Sequence, residues 1–240
     1  MTLDGTNTWV LLEPGGTRAA VVDPGPLDEA HLAAVAGRVD GLGARVAVIL
    51  LTHGHPDHAE SARRFAELTG APVRALDPAL RLGSEGLADG DVLELDGLEI
   101  RVLGTPGHTS DSLSFLIPAD GALLTGDTVL GRGSTLVAHP DGKLGDYLDS
   151  LHRLRKLAEQ GEATVVLPGH GGVLEQPLAA IDYYLEHRQN RLAQVEAALA
   201  AGDQTADEVV RRVYADVDSV LWPAAELSVM AQLEYLRARG

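Results

Sequence analysis

Four metal-capable side chains crowd into six residues of the stretch Leu50-Leu51-Thr52-His53-Gly54-His55-Pro56-Asp57-His58. His53 and His55 stand two apart and can grip one cation. Asp57 and His58 follow a proline, and the turn there can aim them at a second point nearby. Imidazole and carboxylate together suit zinc or iron better than calcium or magnesium. The plain alternative is a polar loop with surface histidines, but three histidines and an aspartate at this density favour a metal site.

The flanking residues say how such a cluster would be held. Residues 46–51 are apolar and partly β-branched, which predicts a buried strand, and residues 59–69 predict a helix. The cluster therefore belongs on a loop at a strand end, where α/β layers place their chemistry. The same event recurs along the chain. Gly104-Thr105-Pro106-Gly107-His108-Thr109, Gly126-Asp127 and Pro168-Gly169-His170-Gly171-Gly172 each follow a short apolar run. Any one of them alone reads as a turn. Together they add His108, Asp127 and His170 to the early cluster, on glycine-rich loops that let backbone approach an ion closely.

Composition narrows the function classes. The chain has 240 residues, 45% apolar but only 4% aromatic, so its core must rest on Leu, Val and Ala. The net charge of -16 opposes nucleic acid and anionic membranes, except where Arg63/Arg64 or Arg153/Arg155/Lys156 could form a basic patch. The absence of cysteine excludes disulfides, thiolate zinc sites and cysteine nucleophiles. No signal peptide or apolar run near the roughly 20 residues needed to span a bilayer is expected. The expectation is a cytoplasmic protein.

Further elements follow from pattern. Strands are predicted at residues 8–12 and 19–22, around Glu13-Pro14-Gly15-Gly16, and a helix at 27–38. Residues 72–75 are a short strand and 77–91 a loop. Residues 92–95 and 98–103 flank Asp96-Gly97, a strong hairpin signal. Residues 113–117 and 122–125 pair around 118–121. Residues 131–142 are a polar loop, 144–159 a helix and 164–167 a strand. From residue 178 the pattern is helical. Thr205-Ala206-Asp207-Glu208 is a capping box, and Pro223 opens a last helix. Two domains are expected, a catalytic one at 1–177 and a helical module at 178–240.

The seven side chains, in the order Thr-His-x-His-x-Asp-His, Gly-His, Gly-Asp, Pro-Gly-His, resemble the metallo-β-lactamase superfamily over about residues 5–175. Thr6-Asn7-Thr8 and the run Tyr184-Leu185-Glu186-His187-Arg188-Gln189-Asn190-Arg191 resemble the subgroup holding lactamase-beta-like endoribonucleases and acyl-carrier-protein thioesterases. The resemblance implies a four-layer αββα sandwich and a small C-terminal, winged-helix-like module. It also implies a ligand scheme: His53, His55 and His108 on one metal, Asp57, His58 and His170 on the other, and Asp127 between them. The cofactor implied is two zinc ions, iron or manganese being alternatives. Two departures from the family pattern stand out. The strand that usually precedes Thr6-Asn7-Thr8 is not expected from these residues, and neither is the hairpin of the wing.

Two metals about 3.5–4 Å apart can share a hydroxide that attacks a substrate, with no serine nucleophile. Asp57 would orient it as the catalytic carboxylate. Thr52, Thr105, Thr109 and Ser110 lie within sequence reach of the ligands. His31 and His152 read as solvated helix residues. His139 and His187 are candidate substrate contacts, the plainer reading of His187 and Arg188 being that they pack the tail helix on the main domain. Residues 203–240 hold seven carboxylates against four arginines, net -3, with no basic stripe for RNA. The expected function is hydrolysis of a small or carrier-bound ester or thioester. A single-strand endoribonuclease and an iron-dependent persulfide dioxygenase, which shares the motif, are the alternatives.

Overall fold

The computed structural model describes residues 5–239. Two β-sheets face each other, and helices cover both outer surfaces. The first sheet has the order β1-β2-β3-β4, from Trp9–Leu11, Arg18–Val22, Arg45–Leu50 and Val73–Arg74. Its first pair is antiparallel and the other two are parallel. The second has the order β5-β6-β7-β8-β9, from Val92–Leu95, Leu98–Gly104, Leu113–Ile117, Ala122–Gly126 and Val165–Pro168. It is antiparallel except for the β8–β9 pair.

Alternation along the strands builds the layers. In β2, Ala20 and Val22 point into the space between the sheets, while Ala19 and Val21 point to the helix side. In β7, Leu113, Phe115 and Ile117 point inward and Leu116 outward. Helices α1 (Glu29–Gly41) and α3 (Ala62–Thr69) cover the first sheet through Leu32, Val35, Val39 and Phe65. Helices α4 (Leu144–Glu159) and α5 (Pro177–Ala200) cover the second through Tyr147, Leu151, Leu154, Ile181 and Leu185. The result is the expected αββα sandwich.

Helix α5 continues past this layer. Its distal residues Val195 and Ala198 form a separate apolar cluster with Val209 and Val210 of α6 (Ala206–Val213) and Ala225, Val229 and Leu233 of α7 (Trp222–Arg237). The Thr205–Glu208 capping box forms as expected. Among the described residues after 203 there is no strand, so no wing hairpin is present. The expected departure at the start of the chain falls on residues 1–4, outside the described residues. No helix among the described residues is long and apolar enough to cross a membrane.

Two local readings change. The helix predicted at 59–69 is two pieces, a single turn α2 (Pro56–Ala59) and then α3. The break falls at Ser61, whose backbone N–H and hydroxyl both reach Gly25 O, so the chain is tied to the β2–α1 loop there. His31 is not simply solvated: its Nε2 lies 2.9 Å from the Thr8 hydroxyl. Helix α1 also starts two residues later than predicted, because Asp28 serves as its N-cap and accepts from Ala30 and His31 N–H.

Phe115 is fully buried between the sheets. Phe115→Ala should lower the unfolding free energy by about 3–5 kcal/mol, read as a drop in the urea midpoint without a change in far-UV spectrum of the folded protein.

Candidate metal centre

All seven predicted side chains meet at one edge of the sandwich. His53 and His55 follow β3. Pro56 opens α2, so Asp57 and His58 ride on one helical turn rather than on a free loop. His108 follows β6, Asp127 follows β8 and His170 follows β9. His55 Nδ1 lies 3.0 Å from His53 Nε2 and 3.1 Å from His108 Nε2. His170 Nε2 lies 3.3 Å from His58 Nε2 and 3.2 Å from Asp57 Oδ2. Asp127 stands between these two groups, with Oδ1 3.3 Å from His58 Nε2 and Oδ2 3.4 Å from His170 Nε2 and 3.7 Å from His108 Nε2. Three ligand-type sets result: His53/His55/His108, Asp57/His58/His170 and His53/His58/Asp127.

The outer edge of each ring fixes what the inner edge offers. His108 Nδ1 donates to Leu136 O at 2.7 Å and His170 Nδ1 to Gly5 O at 2.8 Å. His58 Nδ1 donates to Asp23 Oδ2 at 2.9 Å. The Thr52 hydroxyl donates to the same carboxylate at 2.6 Å, which leaves its oxygen to accept from His53 Nδ1 at 3.1 Å. Carbonyls and carboxylates only accept, so each of these Nδ1 atoms carries hydrogen, and in the neutral ring Nε2 turns a lone pair inward. His55 is reversed, with Nδ1 as its inner atom.

Lone pairs and carboxylate oxygens about 3 Å apart repel unless a cation lies among them. Asp127 Oδ1 shows the same need: it is buried and has no hydrogen-bond partner. Gly169 leaves room there, since a Cβ at that position would sit 2.6 Å from Asp127 Oδ1 and 2.8 Å from His58 Cε1. Gly126 is required for a second reason. Its φ is +49°, and a Cβ would come within 2.7 Å of Thr52. A donor set of imidazole nitrogens and carboxylate oxygens, dry on most sides and with its tautomers fixed, fits transition metals such as zinc or iron.

Protonation behaviour follows from the same crowding. Burial, with neighbouring His58 and His108, holds His53 well below its ordinary value, and burial lowers His108 despite nearby Asp127. Burial also works against a charge on His58 and His170, but carboxylates win there. Asp23 and Asp127 raise His58 to about 10, and Asp127 and Asp57 raise His170 to about 10. Asp57 is lowered by its contact with His170, and His170 and His58 lower Asp127 against the opposing effect of burial.

Of the other candidates, Thr52 touches a ligand ring directly, whereas Thr105 bonds Ser114 and Thr109 bonds Ser112, bracing the His108 loop from within. Ser110 N–H donates to Asp141. His139 is drawn to the C-terminal helix, with Nε2 3.7 Å from Glu234 and its N–H on Leu227 O. His187 stacks on Tyr183 in a cavity of about 300 Å³ on α5 that none of the seven residues lines. The groove that does open on the cluster has about 550 Å³. It is lined by His55 and Gly54, by apolar Leu76 and Pro78, and by Asp77, Asp111 and Asp141. Sequence reading misses Asp23, which has the look of a turn residue after β2. Its signal is present all the same, since an aspartate directly after an apolar strand is also what marks Asp127.

Asp23 holds the His58 ring directly and the His53 ring through Thr52, yet faces away from the cluster's centre. Asp23→Asn should weaken zinc binding about 10–100-fold, measured by competition with a chromogenic chelator, with the fold retained. A raised histidine value stabilises the folded chain fully below the unfolded value and progressively less as pH climbs through the folded one. In chelator-stripped protein, His58 and His170 should therefore make the Tm fall between pH 6.5 and about 10. A Tm that is flat or rises across that window contradicts this.

Comparison with known proteins agrees with the geometry. The Metallo-beta-lactamase superfamily model matches residues 1–170, and the Beta-lactamase associated winged helix domain matches residues 205–240. A beta-lactamase-like protein 2 homolog of Drosophila melanogaster is 32% identical over all of this chain and 85% of its own length. The atrochrysone carboxyl ACP thioesterase of Aspergillus fumigatus is 32% identical over 83% of this chain and 61% of its own length. A solved metallo-beta-lactamase family protein from Thermus thermophilus superposes with a TM-score of 0.79 at 28% identity, covering 98% of this chain and 89% of that one. The chain belongs to the metallo-beta-lactamase superfamily, whose members are mostly metal-dependent hydrolases.

Proposed function

We propose that this protein is a dinuclear zinc hydrolase acting on small or carrier-bound thioesters and esters, with iron or manganese as alternative metals. The observation that carries the reading is the convergence of seven ligand-type side chains at one sheet edge, one of them offering a buried carboxylate oxygen with no hydrogen-bond partner. His53, His55 and His108 would hold one ion, Asp57, His58 and His170 the other, and Asp127 would bridge them. Such ions, when bound, bring the pKa of water to about 7 and polarise a carbonyl oxygen.

The chain's own groups then divide the remaining work. Asp57 is the most solvent-accessible of the carboxylates in the cluster, and its Oδ2 lies within 3.5 Å of the Thr6 hydroxyl. It would accept the proton of the attacking water and hold its oxygen in line with the carbonyl carbon. A C–O bond forms, the C–S bond breaks, and the sulfur leaves as thiolate. A thiol of pKa near 8.5 needs no strong acid to leave, and the cluster presents none on the groove side. The groove beside His55 offers apolar Leu76 and Pro78 to an acyl group.

The same groove argues against RNA. Asp77, Asp111 and Asp141 rim it, and a phosphodiester strand needs positive charge along its path. The name of the fungal thioesterase relative supports the thioester reading. The acidic composition suits an aqueous compartment, and a cytoplasmic location is part of the proposal.

Acyl-thioester and single-stranded RNA panels, run with His55→Ala as control, separate the possibilities. Thioester turnover should fall on the order of 100-fold or more in that variant. RNA cleavage that disappears in the variant, with thioesters inert, would overturn the proposal. One iron, no zinc and no hydrolysis would move it to redox chemistry.

A further inference from the structure

Arg188 of α5 is buried, 6% exposed, and no carboxylate pairs with it among the described residues. Its Nε has no partner. A buried, unpaired guanidinium is unfavourable, so its remaining contacts should account for it. They lead to one segment. Arg188 Nη2 donates to Thr135 O, and its Cζ lies 5.0 Å from the centre of the Tyr147 ring. The Thr135 hydroxyl donates to Asp127 O at 2.5 Å, and the next carbonyl, Leu136 O, is the acceptor that sets the His108 tautomer. Tyr147 donates to Thr128 O at 2.7 Å, beside Asp127. One turn before Arg188 on the same helix, the Tyr184 hydroxyl accepts from Leu130 N–H at 2.9 Å.

We propose that Arg188 is a positioning residue for the metal centre: by fixing the peptide between Thr135 and Leu136 it sets Asp127 and His108 together. This rests on the two-metal reading above. The loop after β8 has little regular structure to hold it, and α5 supplies the rigid element. A ligand of one ion, His108, and the proposed bridge, Asp127, are thus indexed to one buried guanidinium. Because α5 runs on into the cluster with α6 and α7, the C-terminal helices are mechanically joined to the metal edge.

Arg188→Met removes the donor while keeping the length, Arg188→Lys keeps the charge and one donor, and Thr135→Val removes only the hydroxyl that reaches Asp127. Zinc affinity is measured on each folded protein by chelator competition, beside its urea midpoint and steady-state kinetics. Arg188→Met should bind zinc about 10–100-fold more weakly, with kcat reduced more than KM changes. Arg188→Lys should recover part of that loss, and Thr135→Val should reproduce it with a smaller shift of the midpoint. If Arg188→Met does not fold, Thr135→Val decides. A residue that merely packs would move the midpoint and leave zinc affinity within about 2-fold of the parent, and that result in Arg188→Met, or in Thr135→Val where Arg188→Met does not fold, overturns the proposal. Failure of the parent protein itself to bind two metals would instead overturn the function on which it rests.

Discussion

The structure depends on an arrangement that is unfavourable by itself. Imidazole lone pairs and two carboxylates face each other at about 3 Å, mostly on buried side chains. With every ring neutral, nothing in the inner ring of atoms donates a hydrogen bond to relieve this. Relief has to be a positive charge, either protons on His58 and His170 or metal ions. What makes the arrangement persist is the outer ring, where Asp23, Gly5 O and Leu136 O each hold an Nδ1–H and keep the rings from turning away. The rings are thus preorganised for a cation before one arrives.

That preorganisation requires both sheets. His53, His55, Asp57 and His58 come from the end of the first sheet, and His108, Asp127 and His170 from the second. Each three-residue set draws on both. The apolar layer between the sheets, from Ala20, Val22 and Leu50 to Ile100, Phe115 and Leu124, therefore fixes the distance between donors as much as it stabilises the fold. Metal binding in turn favours the packed sheets, because the unfolded chain has no such site.

Much of this was legible in the sequence, for physical reasons that differ by element. The strands were readable because nearly every one is a short apolar run closed by Gly, Pro or Asp, and the 144–159 helix because its apolar spacing is regular. The ligands were readable because histidine and aspartate directly after such runs are placed by the strand end itself. Asp23 was hidden by its neighbours: Asp23-Pro24-Gly25-Pro26 has the composition of a turn, and the residue does adopt a left-handed φ of 51°. The break at Ser61 was hidden because its cause, Gly25 O, is 36 residues away. His139 looked like a groove residue because its loop is polar, but the loop's far end is captured by α7.

The division between a catalytic layer and a helical tail also looks different once α5 is seen whole. Its first half supplies Ile181 and Leu185 to the core that covers the second sheet, and its second half supplies Val195 and Ala198 to the tail cluster. A 24-residue helix is stiff over that distance. Displacement of the tail helices would be carried along α5 to Tyr184 and Arg188, which hold the loop bearing Asp127. The tail is therefore joined through one helix to the loop that bears Asp127, even though it contributes none of the donors.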